Sequence, residues 1–283
     1  MGIEKTRAQM KLQRGRDSDT TEGTRNLDST YHIQSVMKAN QVISAFLGGE
    51  GGLTVSEVAQ SCQMIQSSAY RMVMTLKACG ILEEEHRSGV YRLSRGLLPL
   101  ANKVLNQERL LRFARPELQS LAEKTAFNTS MAVLHGEQVL YVYRQDAPGT
   151  KYTHTMLGRL SPVYCTALGK VLICELSQEE LDLILTRGMQ RYTRATIETR
   201  EALSEELERV AAQGYAVDHQ EMNEGVCCLA APVRHAEGQI VAAVSVSTLA
   251  AEFLSGKEEI LAQTVTYHTK RISSAMGYQP HYF

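Results

Sequence analysis

Apolar positions fall in two rhythms along this chain, helical in the first third and then alternating. Val36, Ala39, Ile43 and Phe46 line one face of a helix predicted over Tyr31 to Leu47. A glycine-rich stretch, Gly48 to Gly52, ends it. Val55, Val58, Ala59 and Cys62 then mark a short helix, opened by the S/T-x-x-E capping box of Thr54 and Glu57. After Gln63 to Gln66 the rhythm resumes at Ala69, Met72, Val73 and Leu76, and Gly80 stands where a C-terminal cap belongs. Ile81-Leu82 and Val90 to Leu93, parted by charged residues and Ser88-Gly89, give a hairpin signal. Three helices followed by a hairpin predict a winged helix-turn-helix.

Helical spacing returns at Leu97, Leu100, Ala101, Val104 and Leu105, with Pro99 confined to the first turn or else kinking the helix. A second stretch, Leu110 to Lys124, carries Leu111, Leu118 and Leu121, and Pro116 either starts a new helix or bends this one. From Asn128 alternation takes over. Strands are predicted over 130–134 and 138–143, around His135-Gly136-Glu137, and over 152–157. Pro162 to Cys174 runs from an extended entry into a helix, and further helices are predicted over 176–185 and 199–213. Strands follow at 215–219, 226–234 and 239–247, and a long helix at 258–276 closes the pattern. Hairpin turns among mixed elements predict an α+β domain with a mainly antiparallel sheet.

The chain has 283 residues, enough for two domains. The expected division is a disordered tail at 1–29, a winged domain at 30–93, a linker and dimerisation helix at 94–112, and the α+β domain at 113–283. Net charge is −1. Within 30–93 five basic residues meet five acidic ones, so no basic field covers the winged domain. Phosphate neutralisation supplies most of the affinity for DNA, so a neutral module binds weakly alone. A homodimer or homotetramer is therefore expected. The six cysteines make no C-x-x-C pair and no His/Cys cluster has zinc spacing; no metal and no cofactor is expected. No signal-peptide pattern and no apolar run of bilayer length occurs, so the reducing cytoplasm is the expected compartment.

The outer face of the second helix of the helix-turn-helix suits double-stranded DNA. Gln66, Ser67, Ser68, Tyr70, Arg71 and Thr75 lie there, and Arg87 sits on the hairpin. Small hydroxyls at a helix start let a phosphate come close, and Arg71 can reach a phosphate or a guanine edge. Against this, helix-turn-helix is also a common way to pack a small α domain, and Glu83, Glu84 and Glu85 oppose DNA.

Three segments resemble the IclR-type transcriptional regulators: QSSAYRMVMTLKACGIL, PVYCTALGKVL at 162–172, and GYAVDHQEMNEGVCCLAAPV at 214–233, continued by IVAAVSVS. YCTALGKVL and the closing AMGYQPHYF resemble the subgroup acting on ketodeoxygluconate and related sugar acids. The resemblance covers Thr30 to about Tyr278. It implies a DNA-binding N-terminal domain, a dimerising linker helix, and a GAF-like C-terminal domain that binds a small organic acid. It also implies a regulator, expected to be a repressor, and not an enzyme. The chain departs from the family pattern at Ile65-Gln66, at Asp218 to Glu221 and at Thr248 to Glu252.

Carried over residue by residue, the resemblance implies an effector pocket walled by Ala167, Leu168, Asp218, Val226, Cys228, Ser245 and Ser247. The chemistry is consistent. Ser245 and Ser247, two apart on a strand, point to one face. A helix start near Thr166 to Gly169 offers free N–H groups to an acid. Asp218 would accept from effector hydroxyls. The plainer readings are polar sheet residues for the serines, a turn cap for Asp218, a small buried hydrophobe for Cys228 and a solvated side chain for Lys170. The rival function is an enzyme with Cys228 as nucleophile and His219 as base; a metal site of Asp218, His219 and Cys228 is a lesser variant.

Overall fold

The computed structural model describes residues 32–48, 51–107, 109–149, 157–186, 188–253 and 258–279. The tail expected at 1–29 lies outside them, as does the strand predicted over 152–157 apart from Leu157, which stands in a turn. The chain divides into two compact units, at Ala101/Asn102.

The first unit contains α1 (Gln34–Ala45), β1 (Leu53–Thr54), α2 (Val55–Ser61), α3 (Gln66–Ala78), β2 (Leu82–Glu84) and β3 (Val90–Leu93). The capping box at α2 forms: the Thr54 hydroxyl accepts from the Glu57 N–H at 3.3 Å, and the Glu57 carboxylate accepts from the Thr54 N–H at 2.7 Å. β3 pairs antiparallel with both β1 and β2, which gives the wing. Val42, Phe46, Val58, Ala69, Val73, Leu76, Leu82 and Tyr91 fill the core. The face predicted for α1 needs correction. Val42 is fully buried, whereas Val36 is 60% exposed. The C-terminal half of α1 makes the core, and the apolar residues of its first turns, Ile33, Val36 and Met37, remain on the surface.

A 3-10 turn, Arg95–Leu97, leads into α4 (Leu98–Gln107), so Pro99 does occupy a first helical turn. The second unit continues with α5 (Arg109–Thr125), β4 (Asn128–His135), β5 (Gln138–Gln145), β6 (Leu160–Pro162), α6 (Ala167–Ile173), α7 (Gln178–Ile184), α8 (Arg200–Gln213), β7 (Ala216–His219), β8 (Val226–Arg234), β9 (Ile240–Leu249), α9 (Ala250–Phe253) and α10 (Glu258–Ala275). Pro116 sits inside α5 on its exposed side; it does not start a new helix. The six strands form one antiparallel sheet in the order β6-β5-β4-β9-β8-β7.

Strand alternation divides the sheet's residues between two cores. Val217, Leu229, Val244, Val246 and Met131 pack with α5 and α10. Ala132, Ala216, Ala230 and Ala243 face α6 and α8. Those four alanines let α6 lie close to the sheet. Its position is fixed further by Gly169, where an added Cβ would stand 2.2 Å from the Val163 carbonyl oxygen. Any side chain there collides with the backbone of the bend that leads from β6 into α6, and the start of α6 is one wall of the site.

Candidate functional site

Two surfaces carry the residues singled out from the sequence. On the first unit, Gln66, Ser67, Ser68, Tyr70, Arg71, Thr75 and Arg87 are all exposed. The side opposite the core of α3 is thus free to meet a ligand. The Thr75 hydroxyl donates to the Arg71 carbonyl at 2.8 Å, and the Gln66 amide donates to the Ser56 hydroxyl at 3.1 Å, tying α3 to α2. The acidic residues of the wing are largely neutralised in place: Arg92 pairs with Glu83 at 2.9 Å and Lys77 with Glu84 at 2.6 Å. Arg71 and Arg87 take no part in these pairs, so their charge is available to a phosphate.

In the second unit one cavity gathers side chains from five strands and the start of α6. Cross-strand register explains part of it: Asp218 lies opposite Cys228, and Cys228 opposite Ser247, in a row across β7, β8 and β9. Ser245 lies one pleat further along, opposite Ala230. Thr166 caps α6, its hydroxyl accepting from the Gly169 N–H at 3.1 Å, and this brings Ala167 and Leu168 over the row. Ala167, Leu168, Asp218, Val226, Cys228, Ser245 and Ser247 all line this cavity, together with Tyr141, Arg159, Ser161, Thr166, Met222 and Asn223. Its volume is about 40 Å³, room for about three water-sized groups at ~10–15 Å³ each.

Tyr141 and Arg159 escaped the sequence reading. Tyr141 precedes a bulge: the β4–β5 register shifts between Ala132, opposite Tyr141, and Met131, opposite Tyr143, so Tyr141 keeps the face of Val139 and Tyr143 joins the other core. An unbroken alternation therefore could not say which tyrosine faces the site. Arg159 stands between a turn and β6, outside any regular element, where no periodicity aims a side chain.

The electrostatics set the chemistry. Burial, then the negative charge of Glu221, pushes the Asp218 carboxyl up to about 7. Its Oδ1 already accepts from the Glu221 N–H at 2.6 Å. Burial and the neighbouring Asp218 also raise the Cys228 thiol, which shares a 3.2 Å hydrogen bond with the Ser247 hydroxyl. A thiol held protonated is a poor nucleophile. His219, next along β7, points to the opposite face, where its ring meets Phe253 edge-on at 5.6 Å. It can neither act as base for Cys228 nor join it on a metal, so the rival enzyme and metal readings lose their geometry. The solvated reading of Lys170 also needs correction. Its ammonium is 1% exposed and donates to the Val217 carbonyl at 2.6 Å, to Glu221 at 2.7 Å and to Glu206 at 2.8 Å. The sheet and α8 cover a helix face that a sequence shows only as one charge in an apolar run.

A winged helix-turn-helix joined to an α+β domain with a small polar cavity defines a ligand-responsive DNA-binding regulator. The comparisons agree. The C-terminal domain family of the bacterial IclR transcriptional regulators matches residues 102–274, and the IclR helix-turn-helix domain family matches residues 35–86. The chain belongs to the IclR family of transcriptional regulators. The HTH-type transcriptional regulator KdgR of Escherichia coli is 31% identical to it over 89% of this chain and 95% of its own length. The regulator XynR of the same organism is 30% identical over 87% and 98%. The crystal structure of the E. coli KdgR C-terminal domain is 30% identical, covering 60% of this chain and 99% of that one, with a TM-score of 0.55. The relatives and matched domains are regulators and not enzymes. Among the described residues no helix is long and apolar enough to cross a membrane.

Proposed function

We propose that the protein represses a sugar-acid catabolic operon, that α3 and the wing hold the operator, and that a small organic acid in the cavity controls the complex. The observation that carries the reading is the convergence of Asp218, Cys228, Ser245 and Ser247 with the first turn of α6 on one cavity. Hydroxyls and free N–H groups at Ala167 and Leu168 suit the oxygens of an acid, and Asp218 suits a hydroxyl. The likeness of YCTALGKVL and AMGYQPHYF to the ketodeoxygluconate subgroup, with KdgR among the relatives, supports a 2-keto-3-deoxy sugar acid.

The test is a gel shift on DNA upstream of the protein's own coding region, with and without 2-keto-3-deoxygluconate. The acid is expected to release wild-type protein from this fragment. Arg71→Ala is expected to weaken binding by about 1–3 kcal/mol while leaving the fold intact, because Arg71 is exposed. Unchanged affinity for both this fragment and random DNA at low salt would rule out α3 as the reader.

The acting species is proposed to be a homodimer or homotetramer. Leu98, Leu100 and Val104 on α4 are each at least 60% exposed, so the helix expected to dimerise leaves large apolar side chains uncovered. Paired half-sites also make up for a winged domain without net charge. Sedimentation velocity at micromolar concentration should show no monomer. A purely monomeric boundary contradicts the proposal.

A further inference from the structure

Among the described residues that line the cavity, Arg159 is the only basic side chain and Asp218 the only acidic one. They enter from opposite edges of the sheet: Arg159 directly precedes β6, and Asp218 lies on β7. Asp218 is 3% exposed with Glu221 behind it, whereas Arg159 is at the exposed side. Tyr141 and Ser161 line the cavity together with Arg159. Burial keeps the Tyr141 phenol protonated, so it is a donor next to the guanidinium. The cavity thus has a cationic, donor-rich end and an anionic, acceptor-rich end, with the hydroxyls of Ser245 and Ser247 and the α6 turn completing its lining.

Resting on the acid-binding reading above, we infer that Arg159 is the specificity-determining residue of this cavity, holding the carboxylate of a monoanionic hydroxy- or keto-acid whose uncharged oxygens face Asp218. Serine hydroxyls bind charged and uncharged oxygens alike. Only Arg159 distinguishes an acid from the corresponding alcohol by charge, and its fork matches a carboxylate. A dicarboxylate would set its second charge against Asp218 and Glu221, so the same geometry disfavours it.

The full-length wild type, Arg159→Met and Arg159→Lys are titrated calorimetrically at low and high salt. The probes are 2-keto-3-deoxygluconate, D-glycerate and pyruvate, with glycerol and succinate as uncharged and doubly charged comparisons. The best-binding acid is expected to lose about ten- to a hundred-fold in affinity with Arg159→Met and much less with Arg159→Lys. Wild-type affinity is expected to fall with salt, because Arg159 is exposed, and that of Arg159→Met to stay nearly flat. Glycerol and succinate should bind wild type more weakly than D-glycerate. An acid bound by Arg159→Met as tightly as by wild type, with the same salt slope, overturns the role of Arg159 alone. A wild type that binds none of the three acids overturns the acid reading of the cavity, and this inference with it.

Discussion

Lys170→Met should destabilise the second unit by about 3–5 kcal/mol, the usual cost of removing one partner from a buried ion pair. Lys170 holds three elements through one ammonium: β7 through the Val217 carbonyl, the β7–β8 loop through Glu221, and α8 through Glu206. Methionine fills a similar volume but leaves two carboxylates facing each other. Glu221 already has one oxygen without a hydrogen-bond partner. Burial raises both Asp218 and Glu221 in the wild type. For such groups the native state binds more protons than the unfolded chain above the ordinary carboxylate range, for Asp218 up to about 7. Their contribution to stability is therefore full at low pH and lost as pH rises through that window. Without Lys170 both carboxyls rise further, so the destabilisation should be greater near about pH 8 than near about pH 5. Adding Glu221→Gln should recover part of the loss, because it removes the stranded charge. Urea unfolding of the full chain at the two pH values measures all three effects. A loss under about 1 kcal/mol at both would mean that the cluster is not a coupled buried network.

The second large effect is expected in the cavity. If Ser245 and Ser247 donate to the acid, Ser245→Ala with Ser247→Ala removes two hydrogen bonds to a charged group, each contributing about 1.5–3 kcal/mol. Effector affinity should then fall by two or more orders of magnitude. Ser245 is 2% exposed and Ser247 half-buried, so solvent screening takes little from these figures. The Ser247 substitution also removes the 3.2 Å contact with Cys228, so a single Ser247→Ala should show which part of the loss comes from the cavity wall itself. Operator affinity without effector should stay near wild type, since neither serine belongs to the DNA-binding unit. Calorimetric titration of 2-keto-3-deoxy acids, beside a gel shift, provides the test. An acid that binds both proteins equally well would make the serines ordinary sheet residues.

The sequence by itself determined what rests on local periodicity and local chemistry. Thr54 and Glu57 announce the start of α2, Ser177 and Glu180 that of α7, and Gly214 the end of α8, because caps are settled within a few residues. Ser245 and Ser247 share a face because a strand repeats every two residues. Asp218, Cys228 and Val226 came from a resemblance, and strand register explains why Asp218, Cys228 and Ser247 form one row. What depends on packing between distant segments only the tertiary structure decided. Val42 rather than Val36 enters the core because α2, α3 and the wing cover only the C-terminal half of α1. A bulge in the β4–β5 pairing turns Tyr143 away from the face that Tyr141 keeps, and no count along β5 contains that shift. Arg159 reaches the cavity from the position just before β6, outside any regular element, where the backbone has no period. Lys170 reads as a solvated charge until α8 and β7 close over it, because burial is a property of what packs against a residue and not of its neighbours in sequence.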